Sequence, residues 1–297
     1  MNQTPLVSIV LPTYNGAKYL EQSIRSCLNQ TCRNLELIIV DDASTDGTAE
    51  KLAELSRGDS RIQVIRHATN QKLPAALNTG FAQVRGTYLT WTSDDNLFRP
   101  QALAAMVAFL ETNPRIGLVY TDYSLINESG EETQQRRVAD SDQLYATNTV
   151  GPSFMYRRKV MEEVGEYARD LFLAEDYDYW LRVSARFQLA ALHQDLYRYR
   201  LHPQSLTSSR RDRIHHAEAA ALFRNLPRLD WVSDELKAEA FLRRALRARN
   251  RRQFALSARL LAFGLRYSTR TVIKQLFQML TRRHLDKSAE KRAQNQA

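Results

Sequence analysis

The residues best suited to chemistry in this 297-residue chain are carboxylates that follow short apolar runs. Val7–Leu11 leads into Pro12–Thr13–Tyr14–Asn15, Leu35–Val40 into Asp41–Asp42–Ala43–Ser44–Thr45–Asp46, and Thr87–Thr92 into Ser93–Asp94–Asp95–Asn96. Five carboxylates at one edge are costly to ionise together unless something positive sits among them. A divalent cation answers that need, and an all-oxygen donor set suits Mg²⁺ or Mn²⁺. Asp41 and Asp46 are also explained by a turn or the cap of the next helix, and for Asp46 that reading is preferred. Asp94–Asp95 has no such explanation, because a turn does not need two adjacent acids. Later in the chain Glu175 and Asp176 open an amphipathic segment. Either acid could act as a general base, and either could simply complement a helix N-terminus. His202 precedes Pro203 in a loop and could complete a metal site or remain uninvolved. Cys27 and Cys32, the only cysteines, have no further ligands nearby, so neither a zinc centre nor a disulfide framework is expected.

The elements that must position these groups follow from periodicity. Apolar runs at Leu6–Leu11, Leu35–Val40, Arg61–Arg66, Thr87–Thr92 and Gly117–Tyr123 read as strands. Between them, Ala17–Asn29, Asp46–Leu55, Leu73–Val84 and Pro100–Leu110 carry helical spacing. This alternation implies an α/β fold, a mostly parallel sheet with helices on both faces, whose ligands bind beyond the C-terminal strand ends. After Leu125 the alternation stops. Asn127–Thr149 reads as hairpins or a mobile loop, Met155–Glu163 and Glu175–Phe187 as helices, Leu189–His193 as a strand, and everything from Asp212 as helix. Two regions are expected, 1–210 and 211–297. Charge divides similarly: Leu236–Ala297 holds 16 basic and 3 acidic residues, a net of +13 against +9 for the whole chain, which leaves −4 for the rest.

Six segments in order, VSIVLPTYNG, VDDASTDGT, NQKLPAALNTG, TSDDN, LAEDYDYWLR and RLHPQSLT, resemble the signature of family 2 glycosyltransferases. The likeness spans roughly the first 210 residues. It implies a GT-A fold, a Rossmann-like mixed sheet with helices on both faces, followed here by a C-terminal helical extension. It implies inverting transfer of a sugar from a nucleotide-diphosphate sugar to an acceptor hydroxyl, in bacterial polysaccharide or cell-surface glycan synthesis. Residue by residue, it places Pro12, Tyr14 and Asp42 among the donor-binding residues, with Tyr14 stacking on or bordering the nucleobase and Asp42 accepting a hydrogen bond from it. Asp94 would contact the ribose, Asp95 would hold the metal that bridges the diphosphate, His202 completes the metal site in some relatives, and Asp176 matches the catalytic base. Lys72 stands where the family usually has Gly, and would either approach the diphosphate or be solvated. Arg157 and Arg158 could face a phosphate or water. Trp180 reads as core.

The chemistry suits these residue types independently. A cation can neutralise the charge developing on a diphosphate leaving group, so only a base is required of the protein. One rival is a nucleotidyltransferase, but its Gly-rich, Arg/Lys-bearing loop after the first strand is replaced here by Pro–Thr–Tyr–Asn–Gly. Another is a non-catalytic nucleotide-sugar-binding protein with a degenerate fold, against which Asp42, Asp94, Asp95 and Asp176 stand together.

The basic tail places Val272/Ile273, Leu276/Phe277 and Met279/Leu280 at helical spacing beside Arg270, Lys274, Arg282 and Arg283. Such a helix suits an anionic membrane surface, or else packs on the catalytic domain or on a second copy. It carries no nucleic-acid-binding motif. The Leu6–Leu11 run is too short for a secretion signal, and no segment is long and uncharged enough to span a bilayer. A cytoplasmic protein is expected, soluble or peripheral on the inner membrane face, with a glycan or lipid-linked glycan as acceptor.

Overall fold

The computed structural model describes residues 4–294, with side chains described through Gln278 and at Thr281. Strand β1 (Val7–Thr13) and β2 (Leu35–Asp41) are buried at every position, as strands covered on both faces must be. Their odd-numbered residues Val7, Ile9, Leu11, Leu35, Leu37 and Ile39 share one core with Leu20, Ile24 and Cys27 of α1 (Leu20–Leu28). Helix α2 (Thr48–Gly58) adds Leu52 to that core, and α4 (Ala102–Thr112) adds Leu103, Met106 and Leu110. The even-numbered face receives α3 (Leu73–Phe81), which approaches through Gly80. A Cβ there would lie 2.4 Å from Val10 Cγ1, so a larger residue would push the helix off the sheet.

The remaining strands are β3 (Ile62–Arg66), β4 (Tyr88–Trp91), β5 (Leu97–Phe98), β6 (Ile116–Ile126), β7 (Glu132–Arg136), β8 (Phe154–Arg157) and β9 (Gln188–Arg200). They complete a nine-stranded sheet of order β3-β2-β1-β4-β8-β6-β9-β5, with β7 paired to β6 off that path. Strands β1 to β4 are parallel, and β8 enters antiparallel between β4 and β6. The sheet is therefore mixed, and the C-terminal ends of β1, β2 and β4 open on one edge.

Two elements differ from the expectation. Met155–Glu163 is not one helix. Residues 154–157 form β8, and only Arg158–Val164 is helical (α5). The slot between β4 and β6 decides this. Tyr88 pairs with Arg157, Leu118 with Tyr156, and Thr90 Oγ1 donates to the Phe154 carbonyl at 2.6 Å. Strand β9 runs thirteen residues, well past His193. Its polar second half is paired rather than solvated. Asp195 meets Arg99 at 2.6 Å, and Arg198 donates to Glu132 at 2.8 Å. Of the two readings of Asn127–Thr149 the hairpin holds, with β7 antiparallel to β6, and the segment after it is tied down. Val138 N donates to Asp122, the Tyr120 hydroxyl to the Ala139 carbonyl, and Ser141 Oγ to the Leu189 carbonyl.

Helix α6 (Glu175–Ser184) buries Trp180 completely, edge-on to Phe154 with ring centroids 4.5 Å apart, so Trp180 is core. Helices α7 (Leu206–Ser209) and α8 (Arg211–Asn225) follow β9. Asn225 Nδ2 donates to the fully buried Asp178 of α6 at 2.8 Å, which ties α8 to α6.

By internal contacts the chain divides into residues up to Asn225 and residues from Leu226. The second unit is helical. Helix α9 (Asp234–Asn250) is capped by Ser233, and α10 (Phe254–Gln294) is interrupted at Ser268, whose backbone is extended (φ −156°, ψ 95°). Ala238, Leu242 and Val272 form its core, flanked by Leu246, Leu261, Tyr267 and Leu276. Ile273 and Phe277 stay more than half exposed. The side chains of Met279, Leu280, Arg282 and Arg283 lie outside the described residues. Among the described residues no helix is long and apolar enough to cross a membrane.

Candidate active site

The ends of β1, β2 and β4 are laced together before any ligand arrives. Thr13 Oγ1 donates to Asp94 Oδ2 in a short hydrogen bond. Gly16 lets this happen, since a Cβ there would stand 2.1 Å from the same carboxylate oxygen. Asn15 (φ 57°) and Ala43 (φ 64°) turn their loops into the left-handed region. Asn15 N donates to Ser44 Oγ, and Thr45 N donates to Asn15 Oδ1, which joins the two loops. Tyr14 is left half exposed beside them, while Pro12 is buried within β1 opposite Val40.

Asp41 and Asp42 behave differently although adjacent. Asp41 closes a turn, accepting Ser44 N at 2.8 Å, and lies near Arg66. Asp42 accepts three donors: His67 Nδ1 at 2.7 Å, Gln71 N at 2.8 Å and Lys72 N at 2.8 Å. A carboxylate has room for about four, so one position is left for a ligand N–H. Asp46 closes a turn by accepting Thr48 N and also accepts Ala17 N from the loop after β1, while the N-cap of α2 is Gly47.

Lys72 pays for that backbone hydrogen bond with an unusual conformation, φ 74° and ψ 164°, in the region that glycine alone adopts easily. Its side chain is exposed. Lys72→Gly is expected to raise stability by about 1 kcal/mol and the melting temperature by about 2–4 °C. A thermal melt checks this, and an unchanged or lower midpoint would mean that the strain is compensated locally.

Asp94 and Asp95 form the centre of the edge. Burial, then the charge of Asp95, pushes the Asp94 carboxyl up to about 7. Asp95 Oδ2 lies 2.9 Å from His202 Nε2, while Asp95 Oδ1 is buried without a hydrogen-bond partner. Among the described residues no three His, Cys, Asp or Glu side chains gather into a metal cage. Asp95 and His202 therefore offer two ligands, and the orphaned oxygen suits a hard cation that would take its other ligands from a phosphate and water. Such a partial protein shell is common for Mg²⁺-like ions.

Arg200, absent from the candidates drawn from the sequence, organises this pair. It is fully buried, yet among the described residues its guanidinium pairs with no carboxylate. It donates to the carbonyls of Asp95, Asn127 and Glu128 and to Gln22 Oε1, and lies over the Tyr19 ring at 4.4 Å. Burial lowers its pKa. Arg200 N also donates to Asn96 Oδ1. The Tyr19 ring in turn packs 5.3 Å from the His202 ring. One buried cation thus holds the 94–96 turn against the strand that delivers His202. Its signal in the sequence was its place at the head of the RLHPQSLT segment, two residues before His202.

Asp176 opens α6 and is joined to Asp95 by no hydrogen bond or ion pair among the described residues. Its Oδ1 accepts Tyr177 N at 2.6 Å, and its Oδ2 accepts Asn148 Nδ2 at 2.9 Å. Burial, above all, pushes its pKa up to about 6, with Glu218 of α8 adding to the rise. Neighbouring Glu175 is pushed up to about 8 by burial and then by Asp176, and it accepts Leu173 N at 2.7 Å. Two adjacent carboxyls are thus separated in proton affinity, Asp176 the readier to ionise at neutral pH. Tyr199, raised mainly by burial, also feels both Asp95 and Asp176. Arg157 and Arg158 take no part. Arg157 grips the carbonyls of Leu110 and Ile116, and Arg158 that of Gly86, at the far end of the strands.

The mixed α/β sheet thus places its paired acids where open α/β sheets bind their ligands, beyond the C-terminal ends of the strands. The family profile "Glycosyl transferase family 2" matches residues 8–165, and the chain belongs to that family. An uncharacterized glycosyltransferase of Haemophilus influenzae is 30% identical over 223 residues, covering 70% of this chain and 69% of that one. One of Rickettsia bellii is 30% identical over 258 residues, covering 81% of this chain. The chain spans about a third of that relative's length, 36%. Among solved structures, S. aureus TarS 1-349 in complex with UDP superposes with a TM-score of 0.61 at 20% identity, covering 80% of this chain and 71% of that one. Mannosyltransferase PcManGT from Pyrobaculum calidifontis, in complex with GDP-Man and Mn²⁺, gives 0.63 at 17% identity, covering 94% and 80%. The fold is GT-A.

Proposed function

We propose that this chain is an inverting glycosyltransferase that moves a sugar from a nucleotide-diphosphate donor to an acceptor hydroxyl, in bacterial polysaccharide or cell-surface glycan synthesis. The observation that carries the reading is the separation of roles. Asp94, Asp95 and His202 are joined at one edge of the sheet, while Asp176, opening α6 and held by Asn148 and Tyr177, has its pKa raised to about 6. The ligands of the structural neighbours, UDP and GDP-Man with Mn²⁺, support a nucleotide-sugar donor. Tyr14, the remaining acceptor position on Asp42, and Asp94 would receive the nucleoside, with Pro12 supporting the turn and Lys72 exposed beside it.

Asp95 and His202 would hold Mn²⁺ or Mg²⁺, which when bound offsets charge on the departing diphosphate. Asp176 takes the acceptor proton as that hydroxyl oxygen bonds to C1. The C1–O bond to the diphosphate breaks, and its electron pair leaves with the nucleotide. Attack from the face opposite the leaving group inverts the anomeric centre. A degenerate binding fold has no need of a carboxyl raised towards neutrality, and the loop after β1, Pro12–Thr13–Tyr14–Asn15–Gly16, is not the Gly-rich, Arg/Lys-bearing loop of a nucleotidyltransferase.

Residues 1–210 are proposed as the catalytic domain, with a helical basic region at 211–297. Exposed Ile273 and Phe277 beside Arg270 and Lys274 support peripheral contact of that region with the anionic inner face of the cell membrane, where a lipid-linked glycan acceptor would lie. A second copy of the chain on the same face is the competing occupant.

Calorimetric titration with UDP- and GDP-sugars, with and without Mn²⁺, tests the reading. One donor class is expected to bind, and only with the metal. Failure of every nucleotide sugar to bind in the presence of Mn²⁺ would overturn it.

A further inference from the structure

We propose that Asn148 is the positioning residue of the Asp176 carboxylate, holding one oxygen so that its remaining lone pair faces the incoming hydroxyl. The inference rests on the reading of Asp176 as the base. Asn148 Nδ2 donates to Asp176 Oδ2 at 2.9 Å, and its own Oδ1 is buried with no partner. The hydrogen bond to Asp176 is thus the contact the amide makes among the described residues. A merely structural asparagine in a loop would be expected to use both ends.

The segment that delivers Asn148 is fastened on both sides of it. Upstream, Val138 N is held by Asp122 Oδ1 at 2.9 Å, and the Ala139 carbonyl by the Tyr120 hydroxyl at 2.7 Å. The Tyr177 hydroxyl, one residue from Asp176, donates to the Leu144 carbonyl at 2.9 Å. Leu144, Tyr145 and Val150 are buried, and β8 begins four residues further on. The residue next to the base thus helps to place the loop that orients it.

The amide N–H acts against the negative groups that face Asp176. Glu175 stands beside it on α6, Glu218 faces it from α8 with His215 3.6 Å from Glu218, and Tyr167 and Tyr199 lie within its field. Burial and Glu218 favour the protonated acid, whereas the N–H of Asn148 favours the carboxylate. Without it, more of the base would be protonated at neutral pH.

The test is a ¹³C-carboxyl NMR titration of aspartate-labelled protein, with Asp176→Asn assigning the signal. The wild-type signal is expected to titrate near pH 6. In Asn148→Leu, which keeps the volume and loses the donor, the midpoint is expected to rise by about half a unit or more, with Asn148→Ser falling between. Asn148→Ala carries the same expectation if the leucine variant does not fold. An unchanged midpoint in a folded Asn148→Leu or Asn148→Ala protein overturns the proposal. The titration needs no donor or acceptor, so its result stands apart from the assignment of the base. A fully active Asp176→Asn enzyme alongside a shifted midpoint would remove the base and leave the positioning contact.

Discussion

Asp176→Asn is expected to keep donor binding and to lose transfer by about 10²–10⁴-fold, the contribution of a well-placed general base. The amide is nearly isosteric and can still receive Tyr177 N on its oxygen, so the fold around α6 is retained, but it cannot take a proton. The wild-type enzyme should show the matching pH dependence. Asp176 must be ionised to act, and its pKa is raised to about 6, so activity falls as pH drops through about 6. Stability carries the opposite sign. The folded-state pKa lies above the ordinary value of 3.8, so this group favours the fold fully below that value and loses the contribution as pH rises through about 6. At pH 7 the buried charge is a standing cost, and Asp176→Asn is expected to be about 1–3 kcal/mol more stable there, with no advantage near pH 3. Single-turnover transfer assays and denaturant melts at the two pH values check both halves. Full activity in the variant would dismiss Asp176 as the base.

Asp95→Ala is expected to weaken Mn²⁺-dependent donor binding by on the order of 10²-fold or more and to erase the difference between titrations with and without metal. The substitution deletes the orphaned Oδ1 and the partner of His202 together. It should leave the turn standing, because the turn is held by other atoms. Arg200 Nε grips the Asp95 carbonyl rather than its side chain, Asn96 Oδ1 accepts Arg200 N, and Thr13 holds Asp94. The loss is therefore one of ligand binding, not of folding. Equal donor affinity in wild type and variant, measured calorimetrically in Mn²⁺, would dismiss the metal assignment.

The two variants test different halves of one reaction. The proposed metal pair acts on the leaving group and Asp176 on the nucleophile. A protein in which the first variant loses binding and the second loses only turnover has the division of labour of a transferase. A nucleotide-binding relic would lose binding in the first and nothing in the second.

Much of this protein was legible in its sequence because local signals and global fold agree. The runs before Pro12, Asp41 and Ser93 are continuous and apolar, as buried parallel strands must be, and an acid at the end of such a strand can lie only at the edge where the sheet opens. The turn closed by Asp46 and the burial of Trp180 followed from the same reasoning. Where local pattern and tertiary pairing conflict, the sequence misled. Residues 154–157 have no strand-like alternation of their own, and become a strand because β4 and β6 leave an open slot between them. The strand expected at Leu189–His193 runs on to Arg200 because Arg99 and Glu132 are brought to its charged second half. Arg200 and Asn148 were invisible for a stronger reason. A buried arginine is recognisable only by the carbonyls that surround it, and those come from residues 95, 127 and 128. An asparagine in a polar segment becomes a partner of the base only once a fold brings position 148 within 2.9 Å of Asp176. The sequence by itself determined which groups the strand ends present. Only the tertiary structure decided which distant donors hold them and how far burial moves their proton affinities, because hydrogen bonding across the chain and desolvation both depend on neighbours that sequence order does not name.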